Sequence, residues 1–258
     1  MFKTSLVIAL AVFAPAAMAA TAGSSFVGQW KLDSSRSRLP DEMKVQNKSG
    51  NTYVFDFSGT LETIVVDGSD QPGVGGSLLA VKPEAPDTWI VTRKRGGLVV
   101  VRATWKLSSD GRTLTDYFRG FGPGGPMQSM DYVYQRTGGG SGFAADWQSI
   151  RETMNSPFQI QVKPFQADGV SFVNHTTQIT KNMTFDGKDH PVEGANAPAG
   201  ASASIRQVDP RNLVITDKFN GTVTITEDVG LSSDLNTLTI TQHITGRDKP
   251  NVLVLKRT

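Results

Sequence analysis

The amino-acid sequence predicts an all-β protein made of two tandem antiparallel up-and-down β-barrels. Three observations carry that expectation: the chain repeats itself once, its apolar residues alternate with period two, and turn dipeptides separate the alternating runs. Four landmarks mark the repeat. Phe26-Val-Gly-Gln-Trp30 returns as Phe143-Ala-Ala-Asp-Trp147, and Asp67-Gly-Ser-Asp-Gln-Pro72 returns as Asp186-Gly-Lys-Asp-His-Pro191. Leu107-Ser-Ser-Asp-Gly-Arg-Thr-Leu-Thr115 returns as Leu231-Ser-Ser-Asp-Leu-Asn-Thr-Leu-Thr239, and both copies close on Arg-Thr, at Arg136-Thr137 and Arg257-Thr258. The offsets are 117, 119, 124 and 121 residues, in the same order.

The beginning of the chain reads as an address. Lys3 precedes an apolar stretch, Leu6 to Pro15, too short to span a bilayer, and Ala17-Met18-Ala19 forms a small-x-small cleavage site. Residues 1–19 are therefore expected to be a signal peptide, and the protein to be bacterial and periplasmic or secreted. No later stretch approaches a membrane span, so no integral membrane segment is expected. The absence of cysteine excludes disulfides, thiolate metal sites and a catalytic thiol. The net charge of +2, which becomes +1 once Lys3 is removed, gives no footprint for nucleic acid. Arg93-Lys94-Arg95, the one basic run, reads as a solvated hairpin end. Gly138-Gly-Gly-Ser-Gly142 lies between the copies and reads as a flexible linker, giving domains at 20–137 and 143–258.

Within each unit the strands can be phased. Val99, Val101, Ala103, Trp105 and Leu107 share one face of a run, and Val223, Ile225, Glu227, Val229 and Leu231 share the corresponding face in the second copy. Leu238, Ile240, Gln242 and Ile244 form another inward row. Gly96-Gly97 and Asn220-Gly221 are two-residue type I′ turn signals. Ser109-Asp110-Gly111 and Ser233-Asp234 turn the next hairpins. About eight strands fit each unit, and a meander of that length removes its edges by closing into a barrel. A sandwich, or one larger barrel drawn from both copies, is the competing architecture. The best helix candidate is Asp146 to Asn155, with Asp146 as cap and Ile150 and Met154 on one face.

Gly28-x-Trp30 at the first strand and Arg136 in the last resemble the signature of lipocalin-type (calycin) barrels. More narrowly, Gly28-Gln-Trp-Lys-Leu-Asp33 and Asp186-Gly-Lys-Asp-His-Pro-Val-Glu-Gly194 resemble small secreted bacterial domains. Those begin Gly-Thr-Trp-Lys-Leu-Asn and carry Asp-Gly-Lys-x-Tyr-Pro-Val-x-Gly midway. The second copy departs from the pattern at Ala145-Asp146-Trp147, which lacks the glycine. The resemblance implies lipocalin-like barrels. In such a barrel an indole seals one end and a guanidinium stacks on it. Because first and last strands are neighbours in a closed barrel, Trp30 is expected beside Arg136 and Trp147 beside Arg257, all four as structural residues.

Signals for chemistry are sparse. His175, His190 and His243 make no metal-binding spacing. His190, flanked by Asp189 and close to Glu193, is a candidate for a general base, and Gln71 replaces it in the first copy. The Asp67-Gly and Asp186-Gly turns lack the ligand ladder of a calcium loop, so no metal is expected. No Gly-x-Ser-x-Gly elbow is present. Gly122-Pro-Gly-Gly125 reads as a barrel-mouth loop, with Phe118, Phe121 and Met127 around it as either an apolar lid or satellite packing.

Strand phase is more informative. It puts Glu227 where the first copy has Ala103, and Asp116 where the second has Ile240, both pointing inward. A lone carboxylate inside an apolar barrel is costly. Glu227 and Asp116 are therefore read as polar floors of two different pockets, with Gln242 beside Glu227. Trp105, Asp116, Phe118, Glu227 and Gln242 are the candidate ligand-binding residues, and His190 and Glu227 the candidate catalytic ones. The leading expectation is an exported protein that holds a small, largely apolar molecule in one or both barrels, without a cofactor. An isomerase, hydratase or lyase using His190 or Glu227, and an envelope interaction module, are the alternatives.

Overall fold

Period-two alternation becomes strand almost throughout the computed structural model, which describes residues 23–57 and 61–258. The signal peptide expected over residues 1–19 lies outside the described residues. The strands are β1 (Gly28–Leu32), β2 (Glu42–Ser49), β3 (Thr52–Asp56), β4 (Leu61–Val65), β5 (Gln71–Pro72), β6 (Leu78–Ala85) and β7 (Thr88–Arg95). They continue as β8 (Leu98–Leu107), β9 (Thr113–Gly122), β10 (Gly125–Arg136), β11 (Ala145–Met154), β12 (Gln159–Pro164) and β13 (Gly169–Asn174). The last are β14 (Ile179–Thr184), β15 (His190–Glu193), β16 (Ala201–Asp209), β17 (Asn212–Phe219), β18 (Thr222–Leu231), β19 (Thr237–Ile244) and β20 (Asn251–Arg257). They form two antiparallel barrel-like sheets of ten strands each, more than the eight that the turn spacing suggested.

The two sheets do not follow the two repeats. One is a closed barrel in the order β1-β12-β13-β14-β15-β16-β17-β18-β19-β20; the other, nearly closed, runs β4-β3-β2-β11-β10-β9-β8-β7-β6-β5. Each copy has given its first strand to the other. Strand β1 sits between β12 and β20, and β11 sits between β2 and β10. Residues 42–154 thus form one continuous barrel, inserted between the first strand of the other barrel and its remaining nine. We call these the inserted and the host barrel. The chain crosses between them at Asp33–Asp41 and Asn155–Phe158, not at the glycine-rich segment.

Gly138–Gly142 is therefore a hairpin loop rather than a linker: it turns β10 into β11, and Arg136 pairs directly with Trp147. The physical reason lies in its glycines. Gly140 has φ +119°, and a Cβ there would run into the carbonyl of Ala144. Only glycine lets the loop fold back this tightly. The predicted helix at Asp146–Asn155 is strand β11 instead. Ala145 and Trp147 are buried while Ile150 is exposed, and backbone partners on both sides outweigh the local helical spacing. The turn expectations hold: Gly96 and Gly97 have φ +56° and +80°, Asn220 and Gly221 +49° and +80°, as a type I′ turn requires.

One end of each barrel is closed by the same clasp. In the host barrel the Arg257 guanidinium lies 4.3 Å from the Trp30 ring centre. It donates to the carbonyls of Leu235 (2.8 Å), Val27 (2.7 Å) and Ser25 (2.9 Å). In the inserted barrel Arg136 lies 4.6 Å from the Trp147 ring and donates to Gly111 (2.9 Å), Ala144 (2.9 Å) and Gly142 (2.6 Å). Each indole N–H donates to the carbonyl four residues earlier, Phe26 or Phe143. The clasp exists as expected, with partners exchanged: Trp30 meets Arg257, not Arg136, and Trp147 meets Arg136, not Arg257.

Exchange and clasp are both testable. Lys31 and Lys256 are paired across β1 and β20, so Lys31→Cys with Lys256→Cys should oxidise to a cross-linked chain of altered mobility on non-reducing gels. Lys31→Cys with Gln135→Cys, the pair an unexchanged fold would bring together, should remain reduced. Leu235 holds φ +58° where the other copy has Gly111 at +65°. Its left-handed backbone presents the carbonyl that Arg257 needs, so Leu235→Gly should raise unfolding stability in urea by about 1 kcal/mol.

Candidate functional site

The host barrel encloses a cavity of about 520 Å³. Its walls are apolar side chains from several strands, among them Ile160, Phe172, Ile240 and Leu253, with Phe158 and Leu39 from the two crossing segments. Strands β10 and β11 of the inserted barrel add Met127, Gln128 and Met154 to the lining. The β9–β10 hairpin is anchored there by Gly124, whose N–H donates to Asn196 Oδ1 at 3.3 Å. The glycine-rich loop expected at a barrel mouth thus lies across the neighbouring barrel rather than its own.

A polar cluster interrupts this apolar lining. Lys181 Nζ donates to Asp217 Oδ2 at 2.7 Å and to Glu227 Oε2 at 3.3 Å. Gln242 Nε2 donates to Glu227 Oε1 at 2.8 Å, and Asn251 Nδ2 reaches Gln242 Oε1 at 3.4 Å. Burial would lower the Lys181 ammonium, but the carboxylates of Glu227 and Asp217 outweigh it and hold the lysine above its ordinary value. Burial pushes the Asp217 carboxyl up, against the pull of Lys181.

Strand alignment shows which part of this cluster belongs to the fold. The corresponding positions in the inserted barrel are Glu62 and Arg93, a bidentate pair at 2.6 and 2.8 Å. The pair survives in both barrels with its charges reversed: Glu62 matches Lys181, and Arg93 matches Asp217. Burial works against the Glu62 anion, yet Arg93 and the Val74 N–H hold its carboxyl below the usual range. An internal ion pair at these positions is thus common to both barrels. Glu227 and Gln242, which stand opposite Ala103 and Phe118, are what the host cavity adds.

The inserted barrel has a smaller cavity of about 220 Å³. Trp105, Asp116 and Phe118 line it, as do Phe57, Leu79, Val91 and Arg93. At one end Tyr134 donates its hydroxyl to Asp41 Oδ2 at 2.7 Å, and Arg247, from the host β19–β20 loop, pairs with Asp41 at 3.2 Å. Burial holds the Asp41 carboxyl above its ordinary value against these two partners. Asp116 is 7% exposed, and burial pushes its carboxyl up to about 7. The Trp105 indole, its cross-strand neighbour, pulls the other way without completing a hydrogen bond.

The remaining candidates lie elsewhere. His190 lines neither cavity. Its Nε2 stands 3.0 Å from Thr184 Oγ1 and 3.4 Å from Asp186 Oδ1, at the rim between β14 and β15. Its counterpart Gln71 occupies the same place: it accepts from the Val65 N–H (2.8 Å) and donates to the Val65 carbonyl (2.7 Å), bridging the seam of the nearly closed barrel. His243 is exposed beside Asp228. Phe121 and Met127 line a crevice with His175, apart from Phe118. Arg93, expected at a solvated hairpin end, turns inward to Glu62. Among the described residues no group of three or more metal-ligating side chains converges. Lys181, Asp217, Asp41, Tyr134 and Arg247 escaped the sequence reading. Carrying the repeat offsets through every charged residue would have exposed the reversed pair. No protein-family model matches the chain, and a search of curated proteins found no match either.

Asp116 should leave a signature in stability. Its folded-state pKa lies above the ordinary 3.8, so folding takes up a proton between about pH 4 and pH 7. The stabilisation associated with the neutral form is present below that window and is lost as pH rises through it. Asp116→Asn should be more stable than the parent by about 4 kcal/mol at pH 8, with the difference vanishing below pH 4. Asp41 and Asp217 are shifted in the same sense, so urea unfolding of parent and variant side by side isolates Asp116.

Proposed function

We propose that the protein is an exported, lipocalin-like binding protein, periplasmic or secreted, that holds one small, largely apolar molecule in the host barrel. The observation that carries this reading is the 520 Å³ cavity, whose apolar walls lead to the Lys181–Asp217–Glu227–Gln242 cluster. Such a combination, mostly apolar lining with a few convergent polar groups, is the usual make-up of a small-molecule site. One ammonium faces two carboxylates, so the cluster has acceptors to spare. A ligand with a hydrogen-bond-donating end, a hydroxyl or an amine, complements it.

The catalytic alternative is weaker. Both Glu227 oxygens already accept hydrogen bonds from Lys181 and Gln242, which suits a group that recognises a ligand better than one that must take a proton from it. His190 is outside the cavity, and an interaction module has no need of an unfilled barrel. The test is a titration with N-phenyl-1-naphthylamine, an apolar fluorescent probe with one N–H donor. Its emission should rise saturably at one molecule per chain. Ile240→Trp, which fills the cavity from β19, should weaken binding at least tenfold. Undiminished binding to the folded variant would overturn the assignment.

A further inference from the structure

Among the described residues, two polar atoms of the inserted barrel are buried without a hydrogen-bond partner, Trp105 Nε1 and Asp116 Oδ1. They belong to residues paired directly across β8 and β9, and both residues line the 220 Å³ cavity. One is a donor and the other an acceptor. Leaving either unmade inside a barrel is unfavourable, and the fold does not require them. The matching residues of the host barrel are Val229 and Ile240, both buried and apolar. Among the other polar side chains of the lining, Arg93 is partnered with Glu62, and Tyr134 and Arg247 with Asp41, while Glu42 is solvent-exposed.

We infer that the inserted barrel holds a second site of its own chemistry: it takes a neutral, hydroxyl-bearing molecule the size of one substituted aromatic ring. The hydroxyl oxygen accepts from Trp105 Nε1, and its hydrogen goes to Asp116 Oδ1. A hydroxyl is the smallest group that both donates and accepts, so it satisfies both atoms at once. Size follows from the volume: a dry cavity of about 150 Å³ admits benzene, and 220 Å³ leaves room for substituents. Shape follows from the walls, where Phe57 and Trp105 stand edge to face with ring centres 6.1 Å apart and Phe118 lines the same space. Neutrality follows from the ion pairs, which leave no unmatched charge at Arg93 or Asp41. The inference does not depend on the host barrel being occupied.

The test uses the intact chain labelled with nitrogen-15, p-cresol as probe, and toluene as the same ring without the hydroxyl. Four tryptophans give four indole N–H resonances, and Trp105→Phe identifies the one that matters. We expect p-cresol to shift the Trp105 indole saturably and to bind at least tenfold more tightly than toluene. Asp116→Leu, which restores the apolar character of the matching host position, should fold with a raised melting midpoint and lose the preference. Ile240→Trp, which fills the host cavity, should leave the p-cresol shift of the Trp105 indole unchanged. An unmoved Trp105 resonance, equal binding of toluene, or a preference that survives Asp116→Leu would overturn the inference. Loss of the Trp105 shift in Ile240→Trp would do so too, by tying that response to the host barrel.

Discussion

An arginine laid on a tryptophan ring, with three of its N–H groups on three backbone carbonyls, stands at the closed end of both barrels. The stacking contributes about 0.5–2 kcal/mol, and the charge-assisted hydrogen bonds tie separate backbone segments to one guanidinium. Arg257 gathers carbonyls from Ser25, Val27 and Leu235, while Arg136 gathers them from Gly142, Ala144 and Gly111. In the host barrel the clasp joins the first strand, β1, to the last, β20, where a meander must meet itself to become a cylinder; in the inserted barrel it braces the β10–β11 hairpin, and the seam lies between β4 and β5. The requirement is strong enough that Leu235 adopts a left-handed backbone to supply its carbonyl, where the other copy can use a glycine.

Because the clasp is identical in both copies, it is indifferent to which first strand it receives. That indifference permits the exchange. Strand β1 between β12 and β20 makes the same kind of contacts as β11 between β2 and β10. The consequence is a chain that reads as two domains in a row but folds as one barrel set inside another. The crossing segments become part of the sites: Leu39 lines the host cavity, while Asp41, two residues on, lines the inserted one.

Duplication also separates scaffold from site. The buried ion pair is Glu62–Arg93 in one barrel and Lys181–Asp217 in the other, so a charge pair at this place belongs to the architecture whatever its polarity. Glu227 and Gln242 in the host barrel, and Trp105 and Asp116 in the inserted one, have no polar counterpart. The two interiors have diverged by placing acidic groups at different levels of similar cylinders. Strand phase found these four residues because the period of two assigns a face without knowledge of partners. It missed Lys181, since Lys181 and Asn182 interrupt the alternation of β14 and read as a solvent-facing stretch. His190 drew attention for its chemical type, while its place matches Gln71, a side chain that bridges a seam.

Sequence alone determined what depends on neighbours along the chain. The alternation set the inner face of β8, of β19 and of β18 from Ile225 onward (a register shift turns Val223 out and Thr224 into the cavity lining), the glycine and asparagine pairs set the tight hairpins, and the repeat announced two similar barrels with a tryptophan and an arginine at one end of each. Tertiary structure decided what depends on choices between equivalent partners. A first strand fits either barrel equally well by pattern, so the sequence could not say that Trp30 would find Arg257. Asp146–Asn155 became a strand because β2 and β10 offered their edges. Cavity volumes and unpartnered atoms followed from how side chains distant in sequence share one interior, which no local pattern records.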